Sequence, residues 1–409
     1  MPGLVTVVGI GADGWAGLGE RSRTALQAAT VIVGGPRQLA LIDDAARVNA
    51  TRVGYPKPLR AGLLALIDTY GAETVVFLAS GDPMMFGVGT TLSQLLGPAQ
   101  LRVIPHVSSV SLACARLGWA VEDAEVVSAV GRSLASIHPA LQHGRQIIVM
   151  SPNSSTPAQI ADLLVLRGFG GSSMTVLEQL GGPGERVSAG LAETWAHPPG
   201  DALNLVAILA RADSPEVVLP RQPGLPDSAY EHDGQLTKRD VRAVTLARLA
   251  PSAGELLWDV GAGSGSIGIE WMRSHPSCRA IAVEAQPTRA DRLRRNAEGL
   301  GVPDLNVVVG SAPDALRNLP TPDAIFIGGG GSDAGVLGAC WDALRPGGRL
   351  VANAVTLETE STLIDAYRRL GGELTRLAVS HVAPIGEMLR WSPAAPVTQW
   401  VVTKPEATQ

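Results

Sequence analysis

Four prolines, Pro215, Pro220, Pro223 and Pro226, fall within twelve residues of the stretch RADSPEVVLPRQPGLPDS (211–228). Proline removes an amide donor and pushes its predecessor out of the helical region, so this stretch can be neither a helix nor a central strand. It reads as a linker that divides the chain at 1–210 and 229–409. On either side, apolar runs alternate with helical stretches, which predicts an α/β chain with mostly parallel sheets. Each side also carries a glycine-rich turn straight after an apolar run: VVGIGADG (7–14) and DVGAGSGSIGIE (259–270). Such glycines let backbone approach a ligand closely. In open parallel sheets, ligands sit beyond the carboxyl ends of the strands. The sequence therefore predicts two domains with one ligand site each.

Composition narrows the ligand. A formal charge of −5, with no cluster of Lys and Arg, disfavours a nucleic-acid partner. Cys114, Cys278 and Cys340 are scattered, without a CxxC pair, and read as reduced thiols with no metal site. The start MPGLVTVVGIG lacks the basic and cleavage regions of a signal peptide. No apolar run approaches the roughly 20 residues needed to span a bilayer. These features predict a cytoplasmic protein without membrane contact.

Before the linker, strands are expected at LVTVVGIG, TVIVGG, TVVFLAS, RQIIVMS, SMTVLEQ and LNLVAILA, with a weak break near 105–125 that suggests lobes of about 1–110 and 120–210. After it, strands are expected at ELLWDVGAG, RAIAVEAQ, LNVVVGSA, DAIFIGGG, GRLVANAV, LTRLAVSHV and TQWVVTK. The last two, separated by a loop, would form an antiparallel hairpin ending a doubly wound sheet.

The second glycine loop is the more informative. GSGSIG (263–268) matches the dinucleotide fingerprint, a weak signal alone. Asp259 stands two residues before Gly261, where an acid disfavours a pyrophosphate and suits a cationic ligand. Glu284 ends the next strand, nineteen residues after Gly265, placed to accept from both hydroxyls of a ribose. A ligand with a ribose and positive charge but no phosphate is S-adenosylmethionine (SAM). The first loop, GIGADG, fails as a dinucleotide site. WAGLGE follows where a helix should begin at once, and the next strand ends in glycine rather than an acid.

DGQLTKRDVRAVTLARL, DVGAGSGSIGIE, GSAPDAL, FIGGGG and LRPGGRLVANAVTLE together resemble the CbiT-type class I methyltransferases of cobalamin biosynthesis, over nearly all of 222–403. The resemblance implies a Rossmann-like fold in which Thr237, Gly261, Ala262, Gly263, Ser264, Gly265, Glu284 and Ala312 contact SAM. It places Lys238, Arg239 and Asn353 near the substrate as the candidate catalytic group. Solvated helix-start and strand-end roles are the plainer alternatives for these three.

In the first half, GIGADGWAGL, VIVGGPRQL, ASGDPMMFGVG, IPHVSSVSLACARLGW and VMSPNSS resemble the tetrapyrrole methylases, the two-lobed class III SAM methyltransferases, within their CbiE-type branch. By that resemblance Gly9, Gly11, Ser80, Gly81, Asp82, Met85, Ser108, Ser109, Met150 and Leu205 contact SAM. Two departures stand out: GADG where the family often has GPGD, and Pro105-His106 where it has a PG pair. His106 reads either as a substrate contact or as a replacement of size.

A CbiE-like half fused to a CbiT-like half resembles the bifunctional precorrin-6B C5,15-methyltransferases (decarboxylating). The pairing implies SAM in each domain and a tetrapyrrole substrate. It further implies C5 methylation by the first half, C15 methylation and loss of the C12 acetate carboxyl by the second, and precorrin-8 as product. Both families imply a homo-oligomer, with a tetramer through the C-terminal domain as the expected form. Alternatives are an RNA methyltransferase, a nicotinamide oxidoreductase, or a SAM- or tetrapyrrole-binding protein with an inactive N-terminal half.

Overall fold

The computed structural model describes residues 4–42 and 48–406; the outer limits of the two expected domains and Met1–Gly3 lie outside them. Two units emerge, Met1–Leu134 with Gln142–Val218, and Ala135–Leu141 with Leu219–Gln409. No described helix is long and apolar enough to cross a membrane.

The first unit holds two five-stranded sheets. One contains β1 (Val5–Ile10), β2 (Val31–Gly34), β3 (Thr51–Gly54), β4 (Val75–Ser80) and β5 (Leu101–Ile104), all parallel, in the order β3-β2-β4-β1-β5. Central strands β1 and β4 are near-continuous apolar runs because helices cover both faces. Leu18, Leu26 and Ile42 pack on one face, and Leu63, Ile67 and Leu92 on the other. The second sheet contains β6 (Ala124–Ser128), β7 (Gln146–Met150), β8 (Ser173–Glu178), β9 (Arg186–Leu191) and β10 (Asn204–Leu209), ordered β6-β7-β10-β8-β9 and mostly antiparallel. Strands β3, β5, β6 and β9 were not among the expected ones. All four are edge strands, and none has the fully buried apolar pattern of its central neighbours. A single helical turn, Gly14–Gly17, does follow the first glycine loop, against expectation.

The second unit is a seven-stranded sheet of β11 (Leu256–Val260), β12 (Arg279–Glu284), β13 (Asn306–Val309), β14 (Ala324–Ile327), β15 (Arg349–Ala354), β16 (Glu373–Leu377) and β19 (Val397–Thr403). The order is β13-β12-β11-β14-β15-β19-β16, with β19 antiparallel to both neighbours. Alternation along β11 sends Leu257 into one helix-covered core with Leu246 and Trp271, and Trp258 into the opposite one with Leu337 and Leu363. The order reverses between β11 and β14, which opens a crevice at their carboxyl ends.

Two expectations are corrected. LTRLAVSHV is not one strand: β16 stops at Leu377, and β17 (Ser380–Ile385) pairs with β18 (Met388–Pro393) as a separate hairpin turning at Gly386. The connection from β16 to β19 is thus a structured hairpin rather than a loop. Val382, expected within one strand over LTRLAVSHV, lies instead on this hairpin and is exposed. The proline-rich stretch contains only short 3-10 turns, and its second part is no loose tether. Leu225 is fully buried in the second unit's core, with Leu219 packed against it.

Candidate functional site

The larger cavity, about 1320 Å³, lies at the carboxyl ends of the second unit's strands. Gly261 is held at φ +69°, and a Cβ there would lie 2.7 Å from the backbone of Gly329. Only glycine lets the loop after β11 touch the loop after β14. At the end of β12, Glu284 accepts hydrogen bonds from the amides of Gly263 (2.8 Å) and Gln286 (2.9 Å). Its carboxylate lines the cavity with acceptor capacity to spare. Ala312, after β13, completes this wall.

Opposite stand Thr237, Lys238 and Arg239, at the start of helix Arg239–Leu249. A buried ionic hub fixes them. Arg242, fully buried, donates to Glu270 (2.6 Å), Asp227 (3.1 Å), the Thr237 carbonyl (2.5 Å) and the Leu225 carbonyl. Glu270 also accepts from the Gly224 and Leu225 amides and the Tyr230 hydroxyl. Burial and the Glu270 charge push the Tyr230 phenol well above its ordinary value. The hub ties the segment 224–237 to helix Ser266–Ser274, which begins directly after the glycine loop. Sequence reasoning missed it: an arginine and a glutamate 28 residues apart carry no pattern. Among the described residues, no carboxylate pairs with Lys238 or Arg239. The hub orders the backbone beneath two cations and leaves their charges open.

Asn353 lines the cavity from β15. Its amide donates to Thr245 (3.0 Å) and accepts from Gln399 (2.9 Å), which locks its orientation. Ser264 and Gly265 stand behind the wall rather than in it. The Ser264 carbonyl accepts from Asn296. Gly265 has φ +80°, and a Cβ there would sit 2.5 Å from Leu293. Asp259 does not face a ligand. It is entirely buried, and its Oδ2 accepts from the Gly268 amide in the first turn of the following helix. Burial raises its carboxyl to about 7.

The smaller cleft, about 330 Å³, belongs to the first unit. Gly11, Ser80, Gly81, Asp82 and Met85 line it from the parallel sheet and the loops after its strands. Ser108 and Ser109 line it from the loop and helix start after β5. Met150 and Leu205, cross-strand partners on β7 and β10, line it from the second sheet. Gly9 lies behind the lining; its missing Cβ makes room for the Gly81 carbonyl and the His106 amide. The Ser80 hydroxyl already accepts from Arg37 (2.6 Å) and Gln38 (2.8 Å), and Ser108 caps its own helix through the Ser111 amide. Arg37 is held below its ordinary pKa by burial. Tyr55 and Asn204 also line the cleft and had no signal in the sequence. Among the described residues no cluster of His, Cys, Asp and Glu could hold a metal ion, and all three cysteines are buried and free.

The donor sets suit SAM by their chemistry. The second cavity offers a carboxylate for hydroxyls beside a glycine cradle that a Cβ would fill. The first cleft offers hydroxyls, a carboxylate and apolar sulfur and methyl groups.

A tetrapyrrole (corrin/porphyrin) methylase model matches residues 4–196, and a precorrin methyltransferase domain model matches 228–404. The precorrin-6Y C(5,15)-methyltransferase (decarboxylating) of a Sinorhizobium species is 49% identical over 98% of this chain and 96% of its own. That of Mycobacterium tuberculosis H37Rv is 48% identical over 98% of this chain and 100% of its own. A solved C-terminal domain of precorrin-6Y C5,15-methyltransferase from Rhodobacter capsulatus is 46% identical, covering 46% of this chain and 100% of its own, with a TM-score of 0.43. Neither the RNA-methyltransferase nor the one-dead-half reading is favoured by relatives that span both halves. The chain belongs to the precorrin-6Y C(5,15)-methyltransferase (decarboxylating) family.

Proposed function

We propose that this chain is a bifunctional SAM-dependent C-methyltransferase of cobalamin biosynthesis. It methylates the reduced precorrin-6 macrocycle at C5 in the N-terminal cleft and at C15 in the C-terminal cavity. The second site also removes the C12 acetate carboxyl, and the product is precorrin-8. The observation that carries this reading is the presence of two strand-end pockets on unrelated sheets in a chain whose full-length relatives are named for two carbons.

SAM supplies a methyl group on a sulfonium, one molecule per domain. In the second cavity, Glu284 is assigned to the ribose hydroxyls, while Gly261, Ala262, Gly263, Thr237 and Ala312 shape the pocket around the rest of the cofactor. Lys238 and Arg239, which pair with no carboxylate among the described residues, hold the side-chain carboxylates of the macrocycle. Asn353, locked by Thr245 and Gln399, orients it. The carboxyl to be lost rests against the apolar wall of Val355, Leu377 and Val379, where loss of hydration favours its departure. The electron pair left behind is taken up by the conjugated ring. Because the substrate supplies the nucleophilic carbon, the protein's main contribution is position.

We place the chain in the cytoplasm, as its free cysteines suggest. We further assign it a homo-oligomeric state, a tetramer through the C-terminal domain. The support is the β17–β18 hairpin, where Val382, Trp391, Pro384 and Leu389 form one apolar face; Val382 is 54%, Trp391 70% and Leu389 75% exposed. A second copy of this hairpin is the assigned cover. Trp391→Asp should reduce the mass seen by sedimentation, and an unchanged mass would remove this support.

The primary test incubates the full chain with reduced precorrin-6 and methyl-labelled SAM. Gain of two methyls and loss of one carbon dioxide is the expected result. Glu284→Gln should then retain the C5 methyl and lose both C15 methylation and decarboxylation. Retention of the C15 methyl instead would refute the assignment of the two units.

A further inference from the structure

The first unit's cleft is lined by a single base, Arg37, and a single acid, Asp82. Arg37 donates from Nη2 to the Ser80 hydroxyl (2.6 Å) and forms no ion pair among the described residues. We propose that Arg37, together with the Ser80 hydroxyl, is a carboxylate-binding site of the N-terminal cleft. This rests on the reading that the first unit takes SAM and the macrocycle, both of which carry carboxylates.

Two parallel neighbours in the sheet build this point. β2 ends at Gly34, and Pro36 opens the short helix Pro36–Ala40 that carries Arg37 and Gln38. Ser80 is the last residue of the adjacent β4. All three side chains belong to residues that line the cleft at the carboxyl edge of the sheet. Ser80 is exposed and Arg37 half-buried, so their contact stands at the cleft surface and not behind it. From the second sheet, Met150 and Leu205 add apolar surface to the same cleft, which strengthens a charge interaction beside it.

The hydrogen-bonding capacity left at this point is one-sided. Ser80 Oγ accepts from Arg37 and also from Gln38 Nε2 (2.8 Å), which occupies both of its lone pairs. Its own O–H has no acceptor among the described residues and is left as a donor. A guanidinium has five N–H donors and no acceptor, and one of those of Arg37 is spent on Ser80. Such a group calls for an anion, and a planar carboxylate matches the guanidinium fork with two parallel bonds.

The protein's own carboxylates are occupied elsewhere. Asp82 Oδ1 accepts from the Met84 amide (2.8 Å) in its own turn. Asp201, whose charge acts on Arg37, accepts from the Leu203 amide (2.7 Å) and from Gln179 (2.9 Å), and it does not line the cleft. Burial, partly opposed by that charge, holds Arg37 below its ordinary pKa. A guanidinium that has lost hydration gains from a carboxylate partner. His106 is no substitute cation, because it bonds Asp13 (3.2 Å) and does not line the cleft. With Lys238 and Arg239 in the second cavity, each unit then has its own cation for a ligand carboxylate.

The test compares the full chain with its Arg37→Met variant, which keeps an unbranched side chain without the charge. Calorimetry follows S-adenosylhomocysteine, which has the cofactor's carboxylate, and 5′-methylthioadenosine, which lacks it. Methyl-13C SAM with reduced precorrin-6 gives the KM for labelling at C5 and at C15 by NMR. Loss of a charge-assisted hydrogen bond should weaken the ligand by about 10- to 100-fold. Such a loss for S-adenosylhomocysteine at one of two calorimetric sites, with methylthioadenosine within about twofold, assigns the carboxylate to the cofactor. A KM for the macrocycle raised by that factor at C5, with both nucleosides within about twofold, assigns it to the macrocycle. Either result supports the site. Arg37→Lys keeps the charge without the fork and should show a smaller loss in the same measurement; it also serves if the methionine variant does not fold. Equal weakening of both nucleosides overturns the proposal, since Arg37 would then only clamp Ser80. So do affinities and KM values that all stay within about twofold, whatever the rate. A KM raised at C15 rather than C5 would leave the carboxylate site standing and overturn the assignment of the two carbons to the units.

Discussion

Glu270→Gln tests whether the buried hub holds the second site in place. Glu270 Oε1 accepts from Arg242 (2.6 Å), Tyr230 (2.8 Å) and the Leu225 amide (3.1 Å), and Oε2 from the Gly224 amide (2.6 Å). Every one of these partners is a donor. A glutamine must turn its own NH2 toward at least one of them, which leaves two donors facing each other. It also removes the full charge that balances the Arg242 guanidinium, which is 0% exposed. Breaking one side of a buried pair costs about 3–5 kcal/mol. Asp227, 31% exposed, still reaches Arg242, so the lower half of that range is expected. Five of the eight tryptophans, Trp258, Trp271, Trp341, Trp391 and Trp400, lie in the second unit. Urea unfolding followed by their fluorescence should show that unit's midpoint falling by about 1.5–2 M, taking a slope near 2 kcal/mol per molar. Replacing the pair together, Arg242→Met with Glu270→Leu, should not recover the loss, because the Gly224 and Leu225 amides and the Leu225 and Thr237 carbonyls would then lack these partners. A single-variant loss below about 1 kcal/mol would refute the view that this pair organises the segment carrying Thr237 to Arg239.

Other consequences are equally direct. Asp259 is raised by burial to about 7 in the folded chain, so the fold binds a proton that the unfolded chain releases near 4. The second unit should therefore lose stability as pH rises from about 4 to about 7, and Asp259→Asn should remove that slope in urea titrations at several pH values. Glu284→Gln should weaken S-adenosylhomocysteine at one of two calorimetric sites by about 10- to 100-fold, the cost of exchanging a charged acceptor for a neutral one; equal weakening at both sites would contradict the placement. The double change Lys238→Ala, Arg239→Ala should raise the KM for the macrocycle and flatten its dependence on salt, while cofactor affinity stays unchanged.

What the sequence disclosed follows physical rules. Central strands such as LLWDV and VVFLAS are buried on both faces, so their apolar runs stand out. Edge strands such as Thr51–Gly54 and Arg186–Leu191 need only half that pattern and pass for loop. Glycine loops and Glu284 were legible because their chemistry demands fixed spacing along the chain. Asp259 was misread because an acid that caps a helix from below and one that meets a ligand occupy the same place in a sequence. Ser264 and Gly265 lie inside a lining motif yet behind the wall, since the chain turns there into the helix Ser266–Ser274. Arg242 and Glu270, Asp13 and His106, and Arg37 and Ser80 are each joined only by folding. Their separations of 28, 93 and 43 residues carry no period that could announce them.

The burial of Leu225 bears on how this chain can be divided. A proline-rich stretch invites the assumption that a protease, or a designer, may cut anywhere within it. Here residues from Leu219 onward already belong to the second unit, and the backbone at Gly224 and Leu225 is bonded to Glu270. A nick after Arg221 or Gly224 would strip packing and hydrogen bonds from the very fragment it was meant to release. Within this stretch, a cut that leaves the second unit whole must fall before Leu219. A separately produced second half that begins at Ser228 would thus lack Leu225 and both amides that Glu270 holds.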